Sequence, residues 1–264
     1  MSIINYMSIF LVANWKMNLS RSEGISLIKR ISAFLKESSY NETISIAIAP
    51  PATMLGEMEQ IIYESGIKLA AQDCSSKDNG AHTGEISARA LREYGCEYVI
   101  LGHSERREYQ METSELISKK ADLACRNDCL PIICIGETAK ERVRGCALDI
   151  ITKQLSTSLP DIIDEERLVV AYEPVWAIGS GKQPTNDQIQ EVVELIWQVA
   201  RSKYPSLRKE NLNILYGGSV TPENCKELLR TGLVGGLLVG GASLVYDKFV
   251  KIIEIVFEEN KILA

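Results

Sequence analysis

Short β-branched and apolar runs recur along this chain, separated by longer amphipathic stretches. The runs Ile9–Ala13, Ile44–Ala49, Lys68–Gln72, Tyr98–Gly102, Ile132–Ile135, Leu168–Tyr172, Asn213–Gly217 and Gly236–Val239 read as strands. Most are continuously apolar rather than alternating, as expected of parallel strands covered on both faces. The intervening stretches read as helices with start signals. Ser20 with Glu23 forms a capping box ahead of Ile25, Ile28, Ile31 and Leu35; Thr138 with Glu141 forms another. Thr185 with Gln188 opens a third helix, whose apolar face is Ile189, Val192, Val193, Ile196 and Val199. Thr221-Pro222 predicts an N-cap followed by proline at the first helical position, with Gly232 as the stop.

Eight strand–helix units without a long linker predict an α/β protein: one closed (β/α)8 barrel domain over residues 1–264, with residues 1–7 as an N-terminal extension and Met7 as an alternative start. A doubly wound open sheet has the same periodicity and is the competing fold. No Gly-x-Gly-x-x-Gly follows the first strand, so a dinucleotide fold gains little. The apolar Met1–Val12 stretch lacks a basic start and is broken by Asn14-Trp15-Lys16. It is too short to span a bilayer and a poor signal peptide, so a cytoplasmic protein without a membrane partner is expected.

Composition narrows the chemistry. The 264 residues carry a net charge of −6, without basic blocks or interleaved aromatics, which argues against nucleic-acid binding. Seven cysteines, at 74, 96, 125, 129, 134, 146 and 225, include no CxxC pair. With only two histidines, His82 and His103, neither a disulfide framework nor a metal site is expected.

In a parallel barrel, functional groups collect at the C-terminal ends of the strands. Those ends here supply Asn14-Trp15-Lys16, Gly102-His103-Ser104-Glu105-Arg106-Arg107, Glu173, Tyr216-Gly217-Gly218-Ser219 and Gly240-Gly241. That is a cation, an imidazole, a carboxylate and two glycine-rich turns. Glu173 ends a buried strand and begins a loop, Pro174 to Lys182, that is apolar in the middle and flexible at Gly179 and Gly181. A base on a rigid element beside a closable loop suits proton transfer shielded from water. Pro174 holds Glu173 extended, and a helix start after His103 disfavours a charged ring. Glycines and Ser219 ahead of helices can present N–H groups to a phosphate.

These segments, with Asn14–Asn18, Cys134-Ile135-Gly136-Glu137 and Val239-Gly240-Gly241-Ala242, resemble the triosephosphate isomerase family in order and across nearly the whole chain. The resemblance implies a TIM barrel interconverting dihydroxyacetone phosphate and D-glyceraldehyde 3-phosphate through an enediolate, in glycolysis and gluconeogenesis, without a cofactor. It implies Glu173 as base, His103 as neutral electrophile and proton shuttle, and Lys16 as the stabilising cation. This family is itself the standard example of a neutral electrophilic histidine, so the role of His103 comes from that precedent and not from this chain alone. Asn14, Lys16, Gly179, Ser219, Gly240 and Gly241 would bind the substrate. Glu105 would hold Lys16, though it also reads as an exposed helix-start carboxylate; Ser104 and Cys134 would stand behind the site. Pro174, Val175, Trp176, Ile178, Gly181 and Lys182 would form the lid. A homodimer is implied through the loop 73–85, with Thr83 and His82 reaching the partner near its own copy of Asn14. Ser180, Pro184, Asp73 and His82 depart from the family's usual residues and bear on lid motion and dimer strength. A Schiff-base aldolase relying on Lys16, and a catalytically silent scaffold barrel, are the competing functions.

Overall fold

The computed structural model describes residues 9–38, 44–63, 65–161 and 167–263. The expected extension at residues 1–7 lies outside them. Eight strands alternate with helices: β1 (Phe10–Asn14), α1 (Arg21–Lys36), β2 (Ser45–Ala49), α2 (Leu55–Ile62), β3 (Lys68–Ala71), α3 (Ala88–Glu93) and β4 (Cys96–Leu101). There follow α4 (Ser104–Tyr109), α5 (Ser114–Arg126), β5 (Leu130–Ile135), α6 (Ala139–Val143), α7 (Ala147–Ser158), β6 (Leu168–Tyr172) and α8 (Asn186–Lys203). The last elements are β7 (Leu212–Tyr216), α9 (Cys225–Arg230), β8 (Gly236–Val239) and α10 (Tyr246–Leu263). Every strand pairs in parallel with the next, and β1 pairs with β8, so the sheet closes and the open-sheet alternative falls. Among the described residues, no helix is long and apolar enough to cross a membrane.

The two-residue repeat of the strands divides the apolar side chains between two cores. Phe10, Val12, Tyr98, Ile132, Val169 and Leu215 fill the barrel interior. Leu11, Ile46, Ile48, Val99, Ile133 and Val170 face outward against the helices. This explains why the strands read as unbroken apolar runs: both faces are covered.

The expected capping boxes form at Ser20–Glu23, Thr138–Glu141 and Thr185–Gln188. Each N-cap side chain contributes about 1 kcal/mol by satisfying an orphan amide. Helix α1 buries Leu27, Ile28, Ile31 and Leu35, while Ile25 is only half-buried. One start signal is displaced: α9 begins at Cys225 and not at Pro222. Asn224 accepts the Thr221 N–H through Oδ1 and donates through Nδ2 to the Ser219 carbonyl. That bracing turns the chain before the helix begins. Gly232 follows α9 at φ +64°, the left-handed stop that its sequence position predicts.

Candidate active site

Register brings the ends of β5 and β6 side by side. Ile135 pairs with Tyr172, so Gly136 lies against Glu173. The Glu173 N–H donates to the Ile135 carbonyl at 2.8 Å, and the Val175 N–H to the Glu137 carbonyl at 3.1 Å. A Cβ on Gly136 would stand 1.7 Å from the Glu173 carbonyl oxygen. Glycine at 136 therefore permits the approach that seats the carboxylate.

The Glu173 side chain is buried at 1% exposure. Its Oε2 accepts the Ser104 N–H at 3.0 Å, and its Oε1 lies 2.9 Å from His103 Nε2. His103 caps α4, with Nδ1 accepting the Glu105 N–H at 3.2 Å. A nitrogen that accepts an amide proton carries none itself, so the hydrogen-bond pattern assigns a neutral ring donating from Nε2. Burial opposes charge on both members of this pair. For Glu173, His103, the Ser104 N–H and Lys16 outweigh burial and hold the carboxyl below its ordinary range. For His103, the Glu173 carboxylate outweighs burial and Lys16 and raises the ring's pKa in this arrangement. If the carboxylate turns to another partner, the main raising influence on the ring goes with it.

Lys16 follows β1 with φ +52°, a left-handed conformation that side chains rarely adopt. Two contacts hold it: Asn14 Oδ1 accepts the Lys16 N–H at 3.0 Å, and Gln72 Nε2 donates to the Lys16 carbonyl at 2.8 Å. Gln72 also donates to the Ala49 carbonyl, tying β1, β2 and β3 together at their ends. The ammonium bonds Glu105 Oε1 at 2.6 Å.

Asn14, Lys16, His103, Glu173, Ile178, Gly179, Ser219, Gly240 and Gly241 all line one cavity of about 270 Å³ at the C-terminal mouth of the barrel. This is a site-sized volume near the small end of the usual range. After β8, Gly241–Leu244 forms a 3-10 turn whose first residues, Gly241 and Ala242, line the cavity. Cys134 lies in the barrel interior, where burial pushes its thiol well up.

The lid segment leaves β6 through Pro174 into a 3-10 turn at Val175–Ala177. Trp176 Nε1 donates to Glu137 Oε1 at 2.7 Å, and Ala177 is buried. Gly179 and Gly181 have φ near +70°, and the tip from Gly179 to Lys182 is exposed. Ser180 Oγ donates to the Trp176 carbonyl at 2.9 Å and accepts the Lys182 N–H at 3.2 Å. The Ser180 hydroxyl thus bonds two backbone groups of the tip, and Pro184 is buried at its far end.

The loop 73–85 has no helix or strand, and its neck is closed by Ser75 N–H to the Ile86 carbonyl at 2.8 Å. His82 and Thr83 are exposed and stand apart from the cavity lining. Asp73, at the loop's root, meets Lys120 at 2.8 Å and Arg106 at 2.8 Å; both cations also bond Glu112. Its charge is therefore matched within the chain.

Gln72, Gly136, Glu137 and Arg107 have roles that the sequence pattern does not reveal. Glu137 is fully buried and accepts from Arg142, Trp176 and Tyr172, anchoring the start of the lid. Arg107 donates to the carbonyls of Gly102 and Cys134, joining β4 to β5. Gln72 ends the predicted third strand, so the strand-end rule that singles out Glu173 reaches it too.

The family model described as triosephosphate isomerase matches residues 9–256. The triosephosphate isomerase of Endomicrobium trichonymphae is 42% identical over 246 residues, covering 92% of this chain and 97% of that protein. The Chloroherpeton thalassium enzyme of the same name is 44% identical over 247 residues, covering 93% and 97%. The crystal structure of triosephosphate isomerase from Bartonella henselae superposes with a TM-score of 0.82 at 36% identity, covering 94% of this chain and 98% of that one.

Proposed function

Because the chain belongs to the triosephosphate isomerase family, we propose how its own residues interconvert dihydroxyacetone phosphate and D-glyceraldehyde 3-phosphate. Glu173 takes the proton from one carbon and returns it to its neighbour. His103 donates from Nε2 to the substrate carbonyl and moves the hydroxyl proton between the two enediolate oxygens. Lys16 stabilises the negative charge that develops on oxygen. Ser219, Gly179, Gly240 and Gly241 receive the phosphate, and Asn14 fixes both Lys16 and the cavity wall. The observation that carries this reading is the convergence of carboxylate, imidazole and ammonium on one small cavity.

In the resting arrangement Glu173 is engaged by His103 and the Ser104 amide. Reaching a substrate carbon requires it to leave both. That movement frees the His103 Nε2–H for the carbonyl and removes the carboxylate that favours a charged ring. Lid closure from Pro174 through Val175, Trp176, Ile178 and Gly181 to Lys182 would exclude water and keep the enediolate from losing phosphate.

Glu105 positions Lys16, the Ser104 amide positions Glu173, and Cys134 supports the floor by packing. A Schiff-base aldolase is less well supported. It needs a neutral amine in apolar surroundings, and Lys16 has a carboxylate at 2.6 Å. A coupled assay with either triose phosphate tests the reading: rapid interconversion is expected, and a folded protein that leaves both unchanged would overturn it.

One barrel domain per chain, a cytoplasmic setting and a homodimer complete the proposal. Met17 is 96% exposed beside Lys16, and Ile86 at the neck of the 73–85 loop is also exposed. Apolar side chains in that position, with exposed His82 and Thr83, favour burial against a second copy near its Asn14. Sedimentation of the wild-type protein as a dimer, and of Thr83→Arg as a monomer, is expected; an active wild-type monomer would refute the dimer.

A further inference from the structure

The cavity is lined by a second cation that the acid–base chemistry leaves unused. Lys248 lies in the first turn of α10 and shares the lining with Ser219, Gly240 and Gly241. Positive charge is disfavoured there, because a helix N-terminus prefers anions. Across the same lining stands Glu223, from the segment after β7. The Glu223 carboxyl sits below its ordinary range chiefly through the Thr221 hydroxyl and local backbone, with Lys248 adding to the effect. The two side chains are therefore electrostatic neighbours.

The charges around the cavity make Lys248 consequential. Its formally charged lining is Lys16, Glu173, Glu223 and Lys248, which sum to zero. Glu105, just behind, already engages the Lys16 ammonium. The chain as a whole carries −6. Without Lys248 the charged lining, Lys16, Glu173 and Glu223, sums to −1, and a phosphate dianion approaching the mouth would meet net repulsion from it.

We propose that Lys248 draws the substrate phosphate to the Ser219–Gly241 end of the cavity and raises its affinity there, while Glu223 opposes it. The inference rests on the isomerase reading and deepens it. Lys248 makes no contact with the reacting carbons; it acts on the phosphate alone.

Steady-state kinetics of wild type, Lys248→Ala, Lys248→Arg and Glu223→Gln from low to high ionic strength test this. Lys248→Ala should lower kcat/KM for D-glyceraldehyde 3-phosphate about five-fold at low salt, in line with one exposed ion pair. The loss should fall on KM, fade at high salt and be matched by weaker inhibition by inorganic phosphate. Lys248→Arg should restore the wild-type values, and Glu223→Gln should raise kcat/KM. D-Glyceraldehyde, which lacks the phosphate, should be isomerised by Lys248→Ala as by wild type. Unchanged kcat/KM and phosphate inhibition in Lys248→Ala, or an equal loss on D-glyceraldehyde, would overturn the inference. Absence of isomerase activity from the wild-type protein would instead sink the reading beneath it, and this inference with it.

Discussion

Two glycines at the active-site mouth should respond oppositely to the same added methyl group. At Gly136 a Cβ would lie 1.7 Å from the Glu173 carbonyl oxygen, against an ordinary contact of at least 3.4 Å. The β6 end would have to retreat by about 1.7 Å. It is clamped there by the Glu173 N–H bond to Ile135 at 2.8 Å and the Val175 N–H bond to Glu137 at 3.1 Å. Losing two backbone hydrogen bonds removes about 2 kcal/mol, and overpacking adds roughly 1–3 kcal/mol. Gly136→Ala should therefore destabilise by roughly 3–5 kcal/mol. Misplacing the base by more than 1 Å should also lower kcat about 10²-fold in whatever remains folded. At Gly241 the added Cβ meets nothing within 4 Å. Gly241→Ala should unfold like wild type, but the methyl would intrude on the space proposed for the phosphate, so KM should rise with stability unchanged. Urea titration and steady-state kinetics on both variants give the comparison. If Gly136→Ala keeps its unfolding midpoint, and its kcat stays within a factor of about three, the close approach at Gly136 does not seat the base.

Further outcomes follow from the charges and burial. The Glu173 carboxyl titrates below its unfolded value, so it contributes stability above the unfolded pKa of about 4.3 that is lost as pH falls through the lower folded pKa. Urea unfolding of wild type minus Glu173→Gln should thus shrink in the acid range; a difference independent of pH would refute the shift. By ¹⁵N NMR, His103 should titrate at lower pH in Glu173→Gln, which lacks the carboxylate that raises it, than in wild type; an equal or higher value in the variant would contradict the assigned pair. Burial pushes the thiols of Cys96 up to about 12 and of Cys129 and Cys225 up to about 11. All three should resist a thiol reagent at pH 8 until the chain unfolds, and rapid native labelling would show that the barrel opens more readily than its packing implies.

Much of this architecture was legible in the chain because strand ends and helix starts are local signals. Glu173, His103 and Lys16 each sit at such an end, and the Thr185–Gln188 capping box marks its helix to the residue. The Thr221-Pro222 start is displaced: the Thr221 carbonyl accepts the Cys225 N–H and Asn224 holds the Thr221 N–H, yet the regular helix begins only at Cys225, a turn geometry the pattern does not carry. Roles that depend on register were not legible. Gln72 braces the strained Lys16 from 56 residues away, and Glu137 holds Trp176 from 39 away. Only the pairing of neighbouring strands puts those partners together. Asp73 shows the same limit: from sequence it belongs to a projecting loop, whereas in the fold it is bound by Arg106 and Lys120.

The proposed mechanism stands or falls on a buried Glu173 carboxylate moving the substrate's carbon-bound proton. The decisive measurement is turnover of Glu173→Ala at saturating substrate, in protein shown by its unfolding midpoint to be native. A loss of at least ~10²-fold is expected, the low end for a general acid–base group. Turnover close to that of wild type would mean that another group carries the proton.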